Sequence, residues 1–385
     1  MSIFEGGTLK LARSLVTKNR PAYVQFYITA RCNLRCEQCN IIYANADQTE
    51  ATTDECGFIA QNLDKIGTSV VLLTGGEPFA RKDLHIITKQ LIENNIHPRI
   101  QTNGFASYER LKQIQDVGAN DISISLDSLN PNLQDEINGN MKNSWLRAIK
   151  TITNVNEIFP KNSFCVFGCV LSPKNINQVI PLIEFATEIG WWVSLVPAHV
   201  SKSNHPRGFR TYDKKLIFNS EDLKKTRELL DKVKSMKKEG YNLYDSDEYI
   251  EDIFRFISKD KIKWREKNSN VCDSPNLYFA ILPSGAVAPC CDYRLSNTYY
   301  VQDENFPEMY FSNKFRSETY DVVKDCNGCM YGSYPEISIS ARYPKPLIDR
   351  TKLFILSKMS KLNKNVTFDD AVVLSEKISK KFSLS

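Results

Sequence analysis

The chain has 385 residues, of which 42% are hydrophobic and 25% are charged, as in an ordinary globular protein with room for one large domain and a smaller appendage. No stretch approaches the length of apolar sequence that a membrane-spanning helix needs, and the first residues lack the basic-then-apolar order of a signal peptide. Eleven cysteines in such a chain indicate metal ligation or catalysis rather than disulfides, so we expect a cytoplasmic protein.

The net charge of +5 is concentrated at the C-terminal end. Residues 341–385 contain ten Lys and Arg against four Asp and Glu, which leaves the rest of the chain near neutral. We interpret this tail as a solvated helical face and expect no nucleic-acid partner. It would meet a membrane surface only if the substrate were lipid-linked.

Strand-like runs and helical segments alternate over the first half of the chain. A short amphipathic segment before Pro21 is followed by six predicted strands: Val24–Thr29, Ser69–Thr74, His97–Gln101, Asp121–Leu126, Phe164–Leu171 and Trp191–Pro197. Each of the first five is followed by a segment of helical character, and Thr52-Thr53-Asp54-Glu55 resembles a capping box. This alternation predicts an α/β fold with a parallel sheet.

Three cysteines, Cys32, Cys36 and Cys39, lie within eight residues directly after the first predicted strand. Soft sulfur ligands select zinc or an iron–sulfur cluster. Zinc sites usually use C-x2-C pairs, whereas a C-x3-C-x2-C triplet can hold three irons of a cubane and leave the fourth open to a substrate or cofactor. A zinc knuckle and three unrelated buried cysteines are the alternatives.

Polar residues also follow the other predicted strands, where parallel α/β folds place their chemistry. Gly75-Gly76-Glu77-Pro78 follows the second strand, Asn103 follows the third, and Ser125 and Asp127 close the fourth. The glycines would let the backbone approach a ligand closely. A plain strand-to-helix turn and an ordinary helix cap are the structural alternatives.

Together, the cysteine triplet and these strand ends resemble the radical S-adenosylmethionine (SAM) enzymes. The resemblance implies a partial (β/α)6 TIM-like barrel and a [4Fe–4S] cluster on Cys32, Cys36 and Cys39 whose open iron binds SAM. It also implies that SAM is contacted by Gln38, Gly75, Gly76, Glu77, Pro78, Asn103, Ser125 and Asp127. Gln38 departs from the family pattern, which usually has an aromatic residue there, and this puts the packing of the adenine in doubt.

A second cysteine set comes late in the chain: Cys272, Cys290, Cys326 and Cys329. The runs 277–282 and 286–288 flank Pro283-Ser284-Gly285 and predict a β-hairpin. The order C-x12-G-x4-C, then C-x2-C, resembles the twitch domain, the shortened SPASM domain, which holds an auxiliary [4Fe–4S] cluster. Zinc would also fit four thiolates, and either Cys290 or the adjacent Cys291 could be the ligand; the glycine spacing favours Cys290.

Five regions follow from these assignments. We expect an N-terminal amphipathic segment over 1–22, the core barrel over 23–200 and a helical bridging segment over 201–268. A small β-hairpin/helix iron–sulfur domain would span 269–335, with basic C-terminal helices over 336–385. The loop that leaves the sixth strand supplies candidate substrate contacts, namely His199, His205, Arg207 and Arg210.

The implied activity is reductive cleavage of SAM to a 5′-deoxyadenosyl radical that abstracts a substrate hydrogen. An auxiliary cluster suggests an oxidative outcome on a small molecule such as a sugar, a cyclitol or a cofactor precursor. An external one-electron reductant, such as flavodoxin or ferredoxin, is implied, and no side-chain nucleophile is expected to be catalytic because the cofactors supply the reactivity. The alternatives are a peptide maturase that forms a cross-link and a zinc-stabilised binding protein without redox activity.

Overall fold

A computed structural model describes residues 8–201, 208–268, 272–357 and 361–383. Within these ranges one eight-stranded sheet has the order β6-β5-β4-β3-β2-β1-β7-β8. Its strands are β1 Tyr23–Tyr27, β2 Val70–Thr74, β3 His97–Thr102, β4 Ile122–Ser125, β5 Cys165–Leu171, β6 Trp192–Pro197, β7 Tyr278–Ile281 and β8 Val287–Ala288.

Strands β1 to β6 are parallel and neighbour one another in chain order, as in a partial (β/α)6 barrel. The predicted strands are confirmed to within a few residues at their ends. Helices cross over between them: α1 Thr8–Thr17 precedes β1, and α2 Ile41–Ala44, α3 Thr53–Lys65, α4 Leu84–Glu93, α5 Tyr108–Asp116, α6 Pro131–Ile137, α7 Ser144–Ile158 and α8 Val179–Ile189 follow in order.

The late hairpin is part of the same sheet. β7 pairs with β1 in parallel, with Tyr23 opposite Tyr278, and β8 pairs with β7 antiparallel. Gly285 makes the turn with φ +84°, a conformation that glycine adopts without steric cost. The hairpin therefore brings the second cysteine set next to the first strand of the barrel.

The remaining helices follow β6 and β8. They are α9 Ser220–Glu239, α10 Asp247–Ile257, α11 Phe306–Phe311, α12 Asn313–Val323, α13 Ser333–Arg342, α14 Pro344–Ser357 and α15 Phe368–Ser383. None of the helices in the described ranges has the length and apolarity that crossing a lipid bilayer requires.

Alternation along the strands divides the core into two parts. Side chains such as Val24, Leu73 and Ile100 point outward and pack against the helices in the main hydrophobic core. Side chains such as Tyr23, Tyr278 and Trp192 belong to smaller clusters on the inner side of the sheet. The expected capping box at Thr52 and Glu55 starts α3.

Candidate active site

The first cysteine set lies in the loop after β1. Cys32, Cys36 and Cys39 are half-buried and form no disulfide. Burial, followed by the neighbouring Cys39, raises the pKa of Cys36 well above its usual range, and burial raises the pKa of Cys39 to about 11. Thiols that oppose one another's ionisation suit a positively charged metal centre, which stabilises the thiolate form. The donor set therefore fits an iron–sulfur cluster.

Polar groups from distant parts of the chain surround these thiols. The Leu34 N–H and the Asn103 side-chain amide donate to Sγ of Cys32 over 3.4 and 3.7 Å. The Cys36 thiol donates to Oδ1 of Asn138 over 3.5 Å. The loop is thus held to the end of β3 and to the residue that follows α6.

Gly75 and Gly76 are required by the backbone that leads into the cysteine loop. A Cβ atom on Gly76 would lie 2.2 Å from the Arg31 carbonyl oxygen, and one on Gly75 would lie 2.3 Å from that of Thr29. The Gly76 N–H donates to the Thr29 carbonyl over 2.8 Å, and the Glu77 N–H donates to the Arg31 carbonyl over the same distance. The close approach seen here is thus between two segments of this chain.

Glu77 is fully buried and joins the ends of β2 and β3. Its carboxylate accepts hydrogen bonds from the N–H of Phe79 at 3.0 Å, the hydroxyl of Thr102 at 2.8 Å and the N–H of Asn103 at 2.8 Å. Burial raises its pKa to about 7, although these donors act in the opposite direction. Glu77 therefore positions Asn103, while Pro78 starts the short 3-10 helix Pro78–Ala80.

Asp127 occupies the corresponding place at the end of β4. Oδ1 accepts from the Val170 N–H at 2.6 Å, and Oδ2 accepts from the Gln38 side-chain amide at 3.1 Å. Burial raises the pKa of Asp127 to about 7. Ser125 points into the barrel, where its hydroxyl accepts a hydrogen bond from Gln101 at 3.0 Å.

The second cysteine set lines one cavity. All four predicted ligands, Cys272, Cys290, Cys326 and Cys329, face it, together with side chains that include Tyr278, Asp292 and Tyr334. Burial raises the pKa of Cys329, and the neighbouring Cys326 and Cys272 raise it further. The Tyr278 hydroxyl lies 3.2 Å from the Cys272 thiol. These four thiols also form a donor set that fits a metal centre.

The adjacent Cys290 and Cys291, in the loop that follows β8, point in different directions. The Asp292 N–H donates to the Cys290 thiol at 3.4 Å on the cavity side. The Cys291 thiol instead lies 3.0 Å from the Tyr27 hydroxyl and donates to Oε1 of Gln25 at 3.5 Å, on the barrel side.

Neither cysteine set is arranged around a single point. Over the described part of the chain, no three or more His, Cys, Asp or Glu side chains converge closely enough to hold one metal ion. A four-iron cluster is wider than one zinc ion, whose thiolate ligands stand only about 2.3 Å from the metal.

Gly208 connects the segments that flank the two cysteine sets. The Asn40 side chain, next to Cys39, donates to the Gly208 carbonyl at 2.6 Å. Gly208 in turn packs on Asp292, since a Cβ on Gly208 would lie 2.4 Å from the Asp292 Cα. One residue thus connects the first cysteine loop to the segment that follows Cys290 and Cys291.

The family model described as the Radical SAM superfamily matches residues 26–186, which include the first cysteine loop and the Gly75–Pro78 segment. Residues 26–186 are a radical SAM domain. The family uses SAM and a [4Fe–4S] cluster, and the fold and the cysteine loop of this radical SAM domain agree with that membership.

Known proteins similar to the chain include enzymes of several kinds. It is 27% identical over 175 residues to the AdoMet-dependent heme synthase of Methanosarcina barkeri, a match covering 45% of this chain and 49% of that protein. It is 27% identical over 171 residues to the PqqA peptide cyclase of Bradyrhizobium diazoefficiens, covering 44% of each. The chain thus spans about half the length of these curated relatives.

A solved structure extends the likeness beyond the radical SAM domain. Streptococcus suis SuiB bound to its precursor peptide SuiA superposes with a TM-score of 0.60 and 19% identity, covering 80% of this chain and 68% of SuiB. At this identity the likeness concerns the fold.

Of the candidate substrate contacts after β6, His199 lies inside the protein. His199 is buried, and its ring stacks on Tyr331 at 3.9 Å. Its Nδ1 lies 2.8 Å from the Pro197 carbonyl, and its Nε2 accepts from the Met330 N–H at 2.9 Å. Both nitrogens are therefore engaged within the protein, next to the second cysteine set.

Arg210 likewise bonds to residues next to the second cysteine set. Its Nε donates to Oδ2 of Asp292 over 2.6 Å, and its Nη2 donates to the Gly328 carbonyl oxygen over 3.5 Å. His205 and Arg207 lie outside the described residues. The assignment of these four residues as substrate contacts stays a prediction.

Residues that the sequence did not single out complete the site. Asn138 contacts Cys36 and Gly208 joins the two cysteine loops. Asn138 follows a short helix and Gly208 lies in an irregular loop, so neither position carries a local sequence signal. Only the fold brings them to the cysteines.

Proposed function

We propose that this chain is a radical SAM enzyme that carries out an oxidative transformation of its substrate. The observation that supports the proposal most strongly is the position of Cys32, Cys36 and Cys39. Their loop follows the first strand of a radical SAM domain and packs against the Gly75–Pro78 segment and Asn103.

In this proposal the three thiolates hold a [4Fe–4S] cluster and the strand ends around it hold SAM. Glu77 keeps Asn103 beside Cys32, and Asp127 holds Gln38 and therefore the cysteine loop. When bound, the cluster and SAM supply a 5′-deoxyadenosyl radical that abstracts a hydrogen atom from the substrate. The protein's own contribution is to orient these groups and to exclude water.

We assign Cys272, Cys290, Cys326 and Cys329 to an auxiliary [4Fe–4S] cluster in a twitch-type domain. Four thiols around one cavity leave no iron of such a cluster open, so it would serve electron transfer rather than substrate ligation. Cys272, Cys290, Cys326 and Cys329 would thereby hold a group able to accept the electron that a substrate radical loses on oxidation. An external one-electron reductant, flavodoxin or ferredoxin, completes the cycle.

The proposed substrate is a small molecule. A peptide is the second candidate, because the chain is similar to the PqqA peptide cyclase and shares its fold with SuiB, whose structure contains a precursor peptide. A cross-linking peptide maturase would use the same cysteines, so the two candidates differ in the substrate alone.

Iron and sulfide counting on anaerobically purified protein tests the assignment. We expect about eight irons in the wild type and about four in either the Cys32→Ala/Cys36→Ala/Cys39→Ala variant or the Cys272→Ala/Cys326→Ala/Cys329→Ala variant. Cys56→Ala, at a buried cysteine in the helix α3, is the matched control and should keep all of the iron.

The product of SAM cleavage provides the second measurement. Wild type with dithionite should form 5′-deoxyadenosine, whereas the first triple variant should form none. No iron in the wild type would contradict the proposal as a whole, and zinc at the second set would leave the SAM site intact but remove the auxiliary cluster.

A further inference from the structure

The interior of the barrel is open and polar. Alternate residues of its strands point inward, and seven of these inward side chains are only half-buried: Gln25, Leu72, Gln101, Ser125, Val170, Ser194 and Val196. Four of the seven carry a polar group. A space with such walls suits a hydrophilic substrate group more than a hydrocarbon one.

Arg99 lies on the same inner face, one inward position before Gln101 on β3. It is only 8% exposed. Its guanidinium carbon stands 4.8 Å from the centre of the Phe164 ring and 5.9 Å from that of Tyr244. Arg99 therefore lies between the open interior and the amino ends of the strands. The rings of Phe164 and Tyr244 pack against the flat face of its guanidinium.

The guanidinium of Arg99 forms no hydrogen bond to a protein acceptor within the described residues. Its Nε is buried without a hydrogen-bond partner. None of the hydrogen bonds or ion pairs formed within the described ranges involves this side chain. The charge of Arg99 helps to lower the pKa of the buried Asp121, but the Asp121 carboxylate accepts its hydrogen bonds from His97 at 2.8 Å and from the Phe164 N–H at 3.2 Å and none from Arg99.

A buried cation with unpaired N–H groups is unfavourable unless something else satisfies it. Stacking on Phe164 engages the face of the guanidinium and leaves its in-plane N–H groups free. Those groups form a rigid fork that matches the two oxygens of a carboxylate or a phosphate. The half-buried Gln101 is the next inward residue of β3, so an anion in the barrel interior would approach the guanidinium from that side.

We propose that Arg99 binds an oxyanion of the substrate, a carboxylate or a phosphate, within the barrel. This inference rests on the proposed function, because it takes the barrel interior to be the substrate site. It predicts that the substrate is anionic and that its charged end enters the barrel first.

Calorimetric titration of the anaerobically purified holoprotein with sodium acetate and with inorganic phosphate, at constant ionic strength, tests the proposal. The titrations contain neither SAM nor reductant, so their result does not depend on radical chemistry. We expect the wild type to bind at least one of the anions and Arg99→Met to bind it at least about tenfold more weakly. Arg99→Lys, which keeps the charge but not the fork, should fall between them.

The matched control is Arg147→Met. Arg147 stacks on Phe105 at 4.7 Å, almost the same distance as Arg99 on Phe164, but it lies on the surface. This variant should bind the anion as the wild type does. A preference for acetate would identify a carboxylate substrate, and a preference for phosphate would identify a phosphate ester.

The proposal is overturned if the wild type binds neither anion, or if a folded Arg99→Met variant binds as tightly as the wild type. Should Arg99→Met fail to fold, wild-type crystals soaked in selenate give an independent answer. Anomalous density within hydrogen-bonding distance of the Arg99 guanidinium supports the site, and selenate bound only elsewhere contradicts it.

Discussion

The side-chain amide of Gln38 donates a hydrogen bond of 3.1 Å to Oδ2 of Asp127. This bond joins the first cysteine loop to the end of β4, across 89 residues of sequence. Gln38 stands directly before Cys39, where members of the family usually have an aromatic residue. The glutamine at this position thus has a hydrogen-bonding partner, Asp127, within the protein.

Replacing Gln38 by Leu should destabilise the protein in a pH-dependent manner. Because burial raises the pKa of Asp127 to about 7, its carboxylate is charged at pH 8 and largely protonated at pH 5.5. Losing a donor to a buried carboxylate should lower the free energy of unfolding by about 1–3 kcal/mol at pH 8 and by less at pH 5.5. Urea unfolding of anaerobically purified protein at the two pH values measures this.

Gln113→Leu, at an exposed position on α5, is the control for that experiment and should change the free energy of unfolding by no more than about 0.5 kcal/mol. An equal loss at both pH values for Gln38→Leu would mean that the hydrogen bond to Asp127 does not account for the effect.

Gly76→Ala should disrupt the cysteine loop through a steric clash. The added methyl group would lie 2.2 Å from the Arg31 carbonyl oxygen, so one of the two backbone segments must move. We expect the free energy of unfolding to fall by about 3 kcal/mol, as for an overpacked core substitution. We also expect less iron at the first cysteine set. Iron counting and urea unfolding of the same preparation measure both effects.

Gly240→Ala separates this clash from backbone strain. Gly240 has φ +97° at the end of α9, but its Cβ would meet nothing within 4 Å. It should lose about 1 kcal/mol and keep all of the iron. If Gly76→Ala behaved in the same way, the backbone contact with Arg31 would not control the loop.

The parts of the fold that depend on local pattern were predictable from sequence. Strands such as β2 are continuous apolar runs, and the capping box at Thr52 and Glu55 predicts where α3 begins. The placement of polar residues at the carboxyl ends of the strands follows from parallel topology alone. These two rules were sufficient to bring Asn103 and Asp127 to the cysteine loop.

Long-range contacts could not be predicted in this way. The pairing of β7 with β1 joins segments more than 250 residues apart, and no local period encodes it. Gly75 and Gly76 were expected to let the backbone approach a ligand, and their close approach to the Thr29 and Arg31 carbonyl oxygens is a further long-range contact that no local pattern encodes. His199 and Arg210 were candidate substrate contacts because they are polar loop residues, and only the fold shows their partners.

Glu77→Gln should remove a pH-dependent part of the stability. Burial raises the pKa of Glu77 from 4.5 to about 7, so the native carboxyl keeps its proton over a range where the unfolded one has released it. The titration of Glu77 should therefore lower the free energy of unfolding of the wild type by about 3 kcal/mol between pH 4.5 and 7 and change it little above that. Glutamine does not titrate, so the part of the decline that Glu77 causes disappears in the variant, whereas the part that Asp127 causes remains.

Urea unfolding of Glu77→Gln and wild type between pH 5 and 8 tests this expectation. The variant also loses an acceptor for the Asn103 N–H, so it should be the less stable protein at pH 5, with a deficit that shrinks toward pH 7. The exposed Glu304→Gln is the control, and its curve should run parallel to that of the wild type. A deficit that grows with pH would contradict the raised pKa.

Cys290 and Cys291 should differ in their effect on iron content, although they are neighbours in sequence. Cys290 faces the cavity of the second cysteine set, whereas the Cys291 thiol lies against Tyr27 on the barrel side. Cys290→Ser should therefore lose about four irons, and Cys291→Ser should keep about eight. Equal loss in both variants would mean that the segment as a whole, and not one thiol, holds the cluster. Loss in Cys291→Ser alone would require the loop to turn its other cysteine into the cavity, so that Tyr27 would lose its sulfur contact.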